Sequence, residues 1–214
     1  MPPRAPALAI VQVSGGSLDG PPNPCYRQQA AWAGRHLEAY IFMDGLPSPA
    51  PPQSANGPAG LCHGNPGCES YNFGWAWTRH WINMARAQGT NPHRWWLDVE
   101  TTGRWSAETG SNHWVIAGAM AALQKSGLAV GVYSTGLQWN SITGGIPLKG
   151  IPLWVAGAGN LRGPGATAVS YCGARHSFAG GRVTLVQYGY TGSFPGAYSG
   201  PALPYDLDYA CPGR

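Results

Sequence analysis

The chain has 214 residues, and only 10% of them are charged, against about 25% in an ordinary soluble domain. Gly (32) and Pro (20) make up about a quarter of it, and there are ten Trp and ten Tyr. So many aromatics exclude a disordered chain, no Gly-X-Y period supports a collagen-like one, and no apolar run reaches the roughly 18 residues of a membrane helix. The net charge of +4 comes from 13 basic residues with no basic run, which argues against a nucleic-acid partner. The length fits one domain, residues 1–214, large enough for a sizeable core.

In chain order, Ala7 to Val13 reads as a buried strand ending in Ser14-Gly15-Gly16. Tyr26 to His36 reads as a helix and Glu38 to Met43 as the next strand, closed by Asp44-Gly45. Residues 46–68 are too rich in Pro and Gly for regular structure and form a long loop. Glu69 to Gln88 is a helix with Trp77, Trp81, Met84 and Ala85 on one apolar stripe. Trp95 to Glu100 is a strand. Asn112 to Ser126 is a helix with Val115, Ile116, Ala119, Met120 and Leu123 on one face and Gly127 as its stop. Leu128 to Ser134, Pro152 to Ala156 and Val183 to Tyr188 are further strands, residues 166–177 hold a short helix, and Tyr205 to Ala210 closes the chain. Apolar strands alternating with helices indicate an α/β architecture on a parallel sheet. The late helices look short or missing.

Five cysteines, Cys25, Cys62, Cys68, Cys172 and Cys211, in a chain this poor in Lys and Glu indicate an exported protein with one or two disulfides. The expected pairs are Cys62–Cys68 within the long loop and Cys172–Cys211 beside the last two strands. Cys25 is then free or paired outside the chain. The spacings do not suit zinc, and no metal or cofactor is expected. Met1-Pro-Pro-Arg lacks the apolar core of a signal peptide.

Nine acids make a short inventory, and four of them form two i, i+2 pairs, Asp98/Glu100 and Asp206/Asp208. Alternate residues of a strand share a face, so each pair projects one way. At the carboxyl ends of parallel strands, where α/β barrels keep their active sites, neighbouring carboxyls raise one another's proton affinity. One then serves as an acid while the other stays ionised, as glycosidic cleavage requires. The competing reading is that these acids pair with Arg94, Arg104 or Arg182 and only hold loops. Trp75, Trp95, Trp105, Trp139 and Trp154 lie at or near strand ends, where aromatic faces can stack on sugar rings, although most Trp are core.

These pieces resemble glycoside hydrolase family 25, the muramidase-type lysozymes, or a divergent actinobacterial relative. Ile10 to Gly16 followed by Asn23-Pro24 looks like the second strand and its turn. Ala39-Tyr40-Ile41-Phe42 is similar to the third strand, commonly Ala-Tyr-His-Phe. Leu97-Asp98-Val99-Glu100 matches the Asp-x-Glu strand, and Gly131-Val132-Tyr133-Ser134 resembles the fifth. Leu153-Trp154-Val155-Ala156, Gln187-Tyr188 and Asp206-Leu207-Asp208 follow in family order. The resemblance implies an irregular (β/α)8-like TIM barrel and hydrolysis of the β-1,4 bond after N-acetylmuramic acid in peptidoglycan, by an extracellular or wall-associated monomer. It implies Glu100 as general acid/base, Asp98 as the group that orients or stabilises the substrate, and Asp206 across the cleft. Tyr40, Tyr133, Trp154, Gln187 and Gln12 would line it.

The chain also departs from the pattern. The family's first strand carries an Asp in Asp-x-Ser, and nothing here matches it. Either residues 7–16 are the second strand and the first is absent or upstream of Met1, or Val11 to Ser14 is the first strand with Gln12 in place of the Asp. Thr-Glu-Gly is replaced by Ser14-Gly15-Gly16, and the third-strand His by Ile41. Three readings follow: an active wall hydrolase, a glycan-binding module on the same barrel, or a disulfide-stabilised structural protein.

Overall fold

A computed structural model describes residues 7–157, 166–189 and 206–213. The strands are β1 (Ala9–Gln12), β2 (Leu37–Phe42), β3 (Asn56–Gly57), β4 (Gly60–Leu61), β5 (Arg94–Asp98), β6 (Ala129–Ser134), β7 (Pro152–Val155), β8 (Arg182–Gly189) and β9 (Leu207–Ala210). The helices are α1 (Tyr26–Ala33), α2 (Pro66–Ala87), α3 (Thr109–Lys125), α4 (Gly136–Thr143) and α5 (Ala166–Tyr171). Seven strands form one sheet in the order β1-β2-β5-β6-β7-β8-β9. Every pairing is parallel except β8 with β9, so the expected parallel sheet is corrected at its last strand. Tyr205, the expected start of that strand, lies outside the described residues.

Alternation along the strands separates two layers. Ala39 and Ile41 of β2, Trp95 and Leu97 of β5 and Val130 and Val132 of β6 pack with the helices in the larger core. Trp96, Tyr133, Trp154 and Leu185 cluster on the opposite face, joined by Leu8, Ile10 and Tyr40. Ile10 is on β1 and Leu185 on β8, five places apart in the sheet, or about 24 Å in a flat one. Their meeting in one cluster requires the sheet to curl into a half-barrel with this face concave. Its hydrogen-bonded order runs from β1 to β9 without closing.

The long helices cover the convex side. Asn65 caps α2 by accepting from the Cys68 N–H at 3.0 Å, with Pro66 in the first turn, so the helix begins inside the stretch expected to be loop. That stretch also holds the β3–β4 ribbon. Trp81 and Ala85 are fully buried, with Trp77 and Met84 packed at the margin. Gly127, at φ 72°, follows the end of α3. Helices α2 and α3 cross at two glycines: a Cβ on Gly74 would overlap the Val115 carbonyl, and one on Gly118 the Tyr71 carbonyl. Both obstacles are backbone, so Gly118→Ala must push the helices apart. We expect it to cost about 2–3 kcal/mol, read as a lower Tm with the far-UV spectrum retained.

Disulfides join Cys62 to Cys68 and Cys172 to Cys211, and Cys25 is exposed and free. The second closes a span of 39 residues, which corresponds to about 4 kcal/mol of lost chain entropy in the unfolded state. It also ties the end of β9 to the segment after α5. Cys172→Ser with Cys211→Ser is expected to lower stability by about 2–4 kcal/mol in denaturant titration, whereas opening Cys62–Cys68, with a separation of only 6, costs less.

Candidate functional site

The concave face is built from side chains in register. Gln12 stands beside Tyr40 and Tyr40 beside Trp96. One step toward the carboxyl ends, Phe42, Asp98, Tyr133, Trp154 and Leu185 form a second row. Gly131 follows Trp96 in the first row, and a Cβ there would overlap the Trp96 indole. The glycine therefore makes room for the ring. Trp154 is the hub of the aromatic floor. Its centroid lies 4.5 Å from Tyr133, 5.8 Å from Trp96 and 6.1 Å from Tyr40.

Polar groups anchor these rings. The Trp154 indole N–H donates to Asp208 Oδ1 at 2.7 Å, and the Tyr133 hydroxyl donates to Gln187 Oε1 at 2.6 Å. Gln187 and Asp208 face each other across the antiparallel β8–β9 pair. Deeper in, the Trp96 N–H donates to Glu38 at 2.7 Å, and Glu38 pairs with Arg94 at 3.5 Å.

The acid pair sits at the rim. Strand β5 ends at Asp98, so Glu100 follows the strand rather than lying within it. The backbone nevertheless stays pinned, because the Val99 N–H donates to Tyr133 O at 2.9 Å and the Ser134 hydroxyl to Val99 O at 2.7 Å. The Glu100 carbonyl accepts the Trp105 indole N–H at 2.6 Å and the Gly103 N–H at 3.1 Å.

Asp98 is buried, and its Oδ1 has no hydrogen-bond partner among the described residues. Burial, reinforced by the Glu100 charge, pushes its pKa well above the usual carboxylate range. Glu100 is half-buried. Burial raises its pKa, a hydrogen bond from Gln138 works the other way, and the Asp206 charge raises it again. The Tyr40 hydroxyl is held strongly protonated by burial first, then by the charges of Asp98, Asp206, Glu100 and Asp208. Tyr40 on β2 and Asp208 on β9 are five strands apart in the sheet order, so the curl brings both acid pairs around one phenol.

Two of the three arginines, Arg94 and Arg104, serve other acids. Arg104 pairs with Asp19 and with Asp44, and Asp44 also accepts the Leu18 N–H at 2.9 Å and the Arg104 N–H at 2.7 Å. Asp44 is thereby a loop anchor. Of the five Trp residues near strand ends, Trp154 joins the concave cluster. Trp95 and Trp139 are corrected to the helix-side core, with indole N–H groups on Pro92 O and Ile146 O. Trp75 lies on α2, and Trp105 contributes through the Glu100 backbone.

Sequence reasoning missed Gln138, which lies on the unforeseen helix α4. The available signals were Thr135 as its cap, accepting the Gln138 N–H at 3.2 Å, and Gly144 as its left-handed stop. Among the described residues no group of three His, Cys, Asp or Glu side chains could hold a metal ion, and no helix is long and apolar enough to cross a membrane.

Residues 65–170 match the family model described as Lysozyme-like protein 1, a span just under half of the chain that contains Asp98, Glu100, Tyr133 and Trp154. No curated protein matches the chain. Among solved structures, the muramidase from Trichobolus zukalii aligns with a TM-score of 0.50 and 16% identity over 95% of this chain and 81% of that one. The catalytic domain of endolysin ply40 from bacteriophage P40 of Listeria monocytogenes aligns with a TM-score of 0.51 and 13% identity over 97% of this chain and 82% of that one. At these identities the two structures show a shared fold. Residues 65–170 are thus similar to the lysozyme-like family model, and the chain shares its fold with the two solved structures.

Proposed function

We propose that this lysozyme-like chain is an extracellular N-acetylmuramidase, cleaving the β-1,4 bond after N-acetylmuramic acid in peptidoglycan with Glu100 as general acid/base. The family match and the shared fold support a glycoside hydrolase acting on the wall, and the two disulfides suit an oxidising compartment. The observation that carries the residue assignment is the meeting of Asp98, Glu100 and Asp206 around Tyr40, with one Asp98 oxygen buried and unpaired. A buried carboxyl without a partner is costly, and a substrate N–H or a developing positive charge would satisfy it.

The roles follow from environment. Glu100 reaches solvent and has a raised proton affinity, which suits donation to a leaving oxygen. Asp98, deeper, orients the substrate or stabilises charge on the sugar ring. Asp206, exposed just before β9, faces them from the other side. Trp154, Tyr133 and Tyr40 supply the floor, Gln187 holds Tyr133, and Gln12 lines the β1 side. In this reading residues 1–214 act as one barrel domain of (β/α)8 type. The direct test is clearing of purified cell walls: a steady fall in turbidity supports the proposal.

One observation favours a second reading. The β1 side of the face presents neutral Gln12, where the family pattern, in one register, has an acid. A glycan-binding module would retain peptidoglycan fragments without releasing new reducing ends, and that outcome would replace the first reading.

A further inference from the structure

Helix α4 starts directly after β6, and its first turn reaches the end of β5. Gln138 is in that turn. Its Oε1 accepts both the Thr101 N–H at 2.7 Å and the Thr101 hydroxyl at 3.1 Å. A backbone N–H can only donate, so this contact fixes which end of the amide is oxygen. The NH2 end remains to donate, and Gln138 favours the ionised form of the Glu100 side chain. One side chain thus grips the residue after Glu100 from a different element, while Trp105 and Gly103 hold the Glu100 carbonyl.

We infer that Gln138 is a positioning residue that fixes the Glu100 carboxyl against Asp98 and Asp206 by clamping the Glu100–Thr101 turn to α4. The inference rests on the reading of Glu100 as acid/base. The titratable groups around that carboxyl are Asp98 on β5, Asp206 before β9 and Tyr40 on β2. Burial first, then the Asp206 charge, favour the protonated form of Glu100, and Gln138 favours the ionised one. Without Gln138, Glu100 keeps its proton to higher pH and its carboxyl is no longer held in one orientation.

The test compares wild type with Gln138→Met, of similar length but without the amide, and Gln138→Glu, which adds a like charge. Gln138 is only part-buried, so neither variant threatens the fold, and a thermal melt checks this. The chain has four Glu residues, whose carboxyl carbons can be followed by NMR in glutamate-labelled protein, with Glu100→Gln assigning the signal. The expected result is a Glu100 midpoint moved to higher pH in Gln138→Met and further in Gln138→Glu. The alkaline limb of wall hydrolysis follows, with kcat lower by about tenfold and KM little changed. An unmoved Glu100 midpoint in Gln138→Met overturns the inference. A moved midpoint in a chain that hydrolyses no wall upholds the clamp and instead overturns the reading of Glu100 as acid/base.

Discussion

Glu100→Gln is expected to slow wall hydrolysis by about 10²–10⁴-fold, the range for losing a positioned general acid, or about 3–5 kcal/mol of barrier. The replacement has the same size and shape. It keeps an oxygen that can accept from Gln138, and it sits at a half-buried position. The melting curve and the Tyr40–Trp154 packing should therefore be those of wild type, and loss of activity reports chemistry rather than folding. Removing the charge next to Asp98 also relieves one cause of its raised proton affinity. Turbidity clearing beside a thermal melt checks both halves, and a variant that clears walls as fast as wild type removes Glu100 from the mechanism.

Asp98→Asn separates stability from activity. Folding buries the Asp98 carboxyl, leaves one oxygen unpaired and raises its pKa. A folded-state pKa above the unfolded value, about 4, means that the native state holds this proton more tightly. The stability linked to it is complete below about pH 4 and is lost as pH rises through the folded value. Asparagine carries no such penalty. The variant should therefore gain on wild type as pH rises from about 4. Hydrolysis should fall by about 10²–10³-fold. Denaturant titrations at several pH values check the sign: a stability difference independent of pH, or a variant weaker throughout, contradicts the account.

What could be read from the sequence followed burial. Strands covered on both sides are nearly continuous apolar runs, so β2, β5, β6, β7 and β8 were legible to within a residue or two. Asp98 and Glu100 stood out because nine acids in 214 residues leave few alternatives. Other features leave no periodic trace. Strand period says that Trp95 and Trp96 face opposite ways, but not which one faces the helices. The antiparallel entry of β9 depends on residues too short in pattern to show direction. Helix α4 was missed because its buried residues, Trp139, Ile142 and Thr143, make only one short stripe, and Gln138 went with it. The close approach at Gly74 and Gly118 exists only once α2 and α3 are packed.

The most direct measurement is the identity of the sugar at the new reducing ends when purified peptidoglycan is incubated with the protein, after borohydride reduction and hydrolysis. The account expects reduced N-acetylmuramic acid to accumulate with wild type and to be nearly absent with Glu100→Gln. Reduced N-acetylglucosamine, or equal amounts of product from the two proteins, would contradict it.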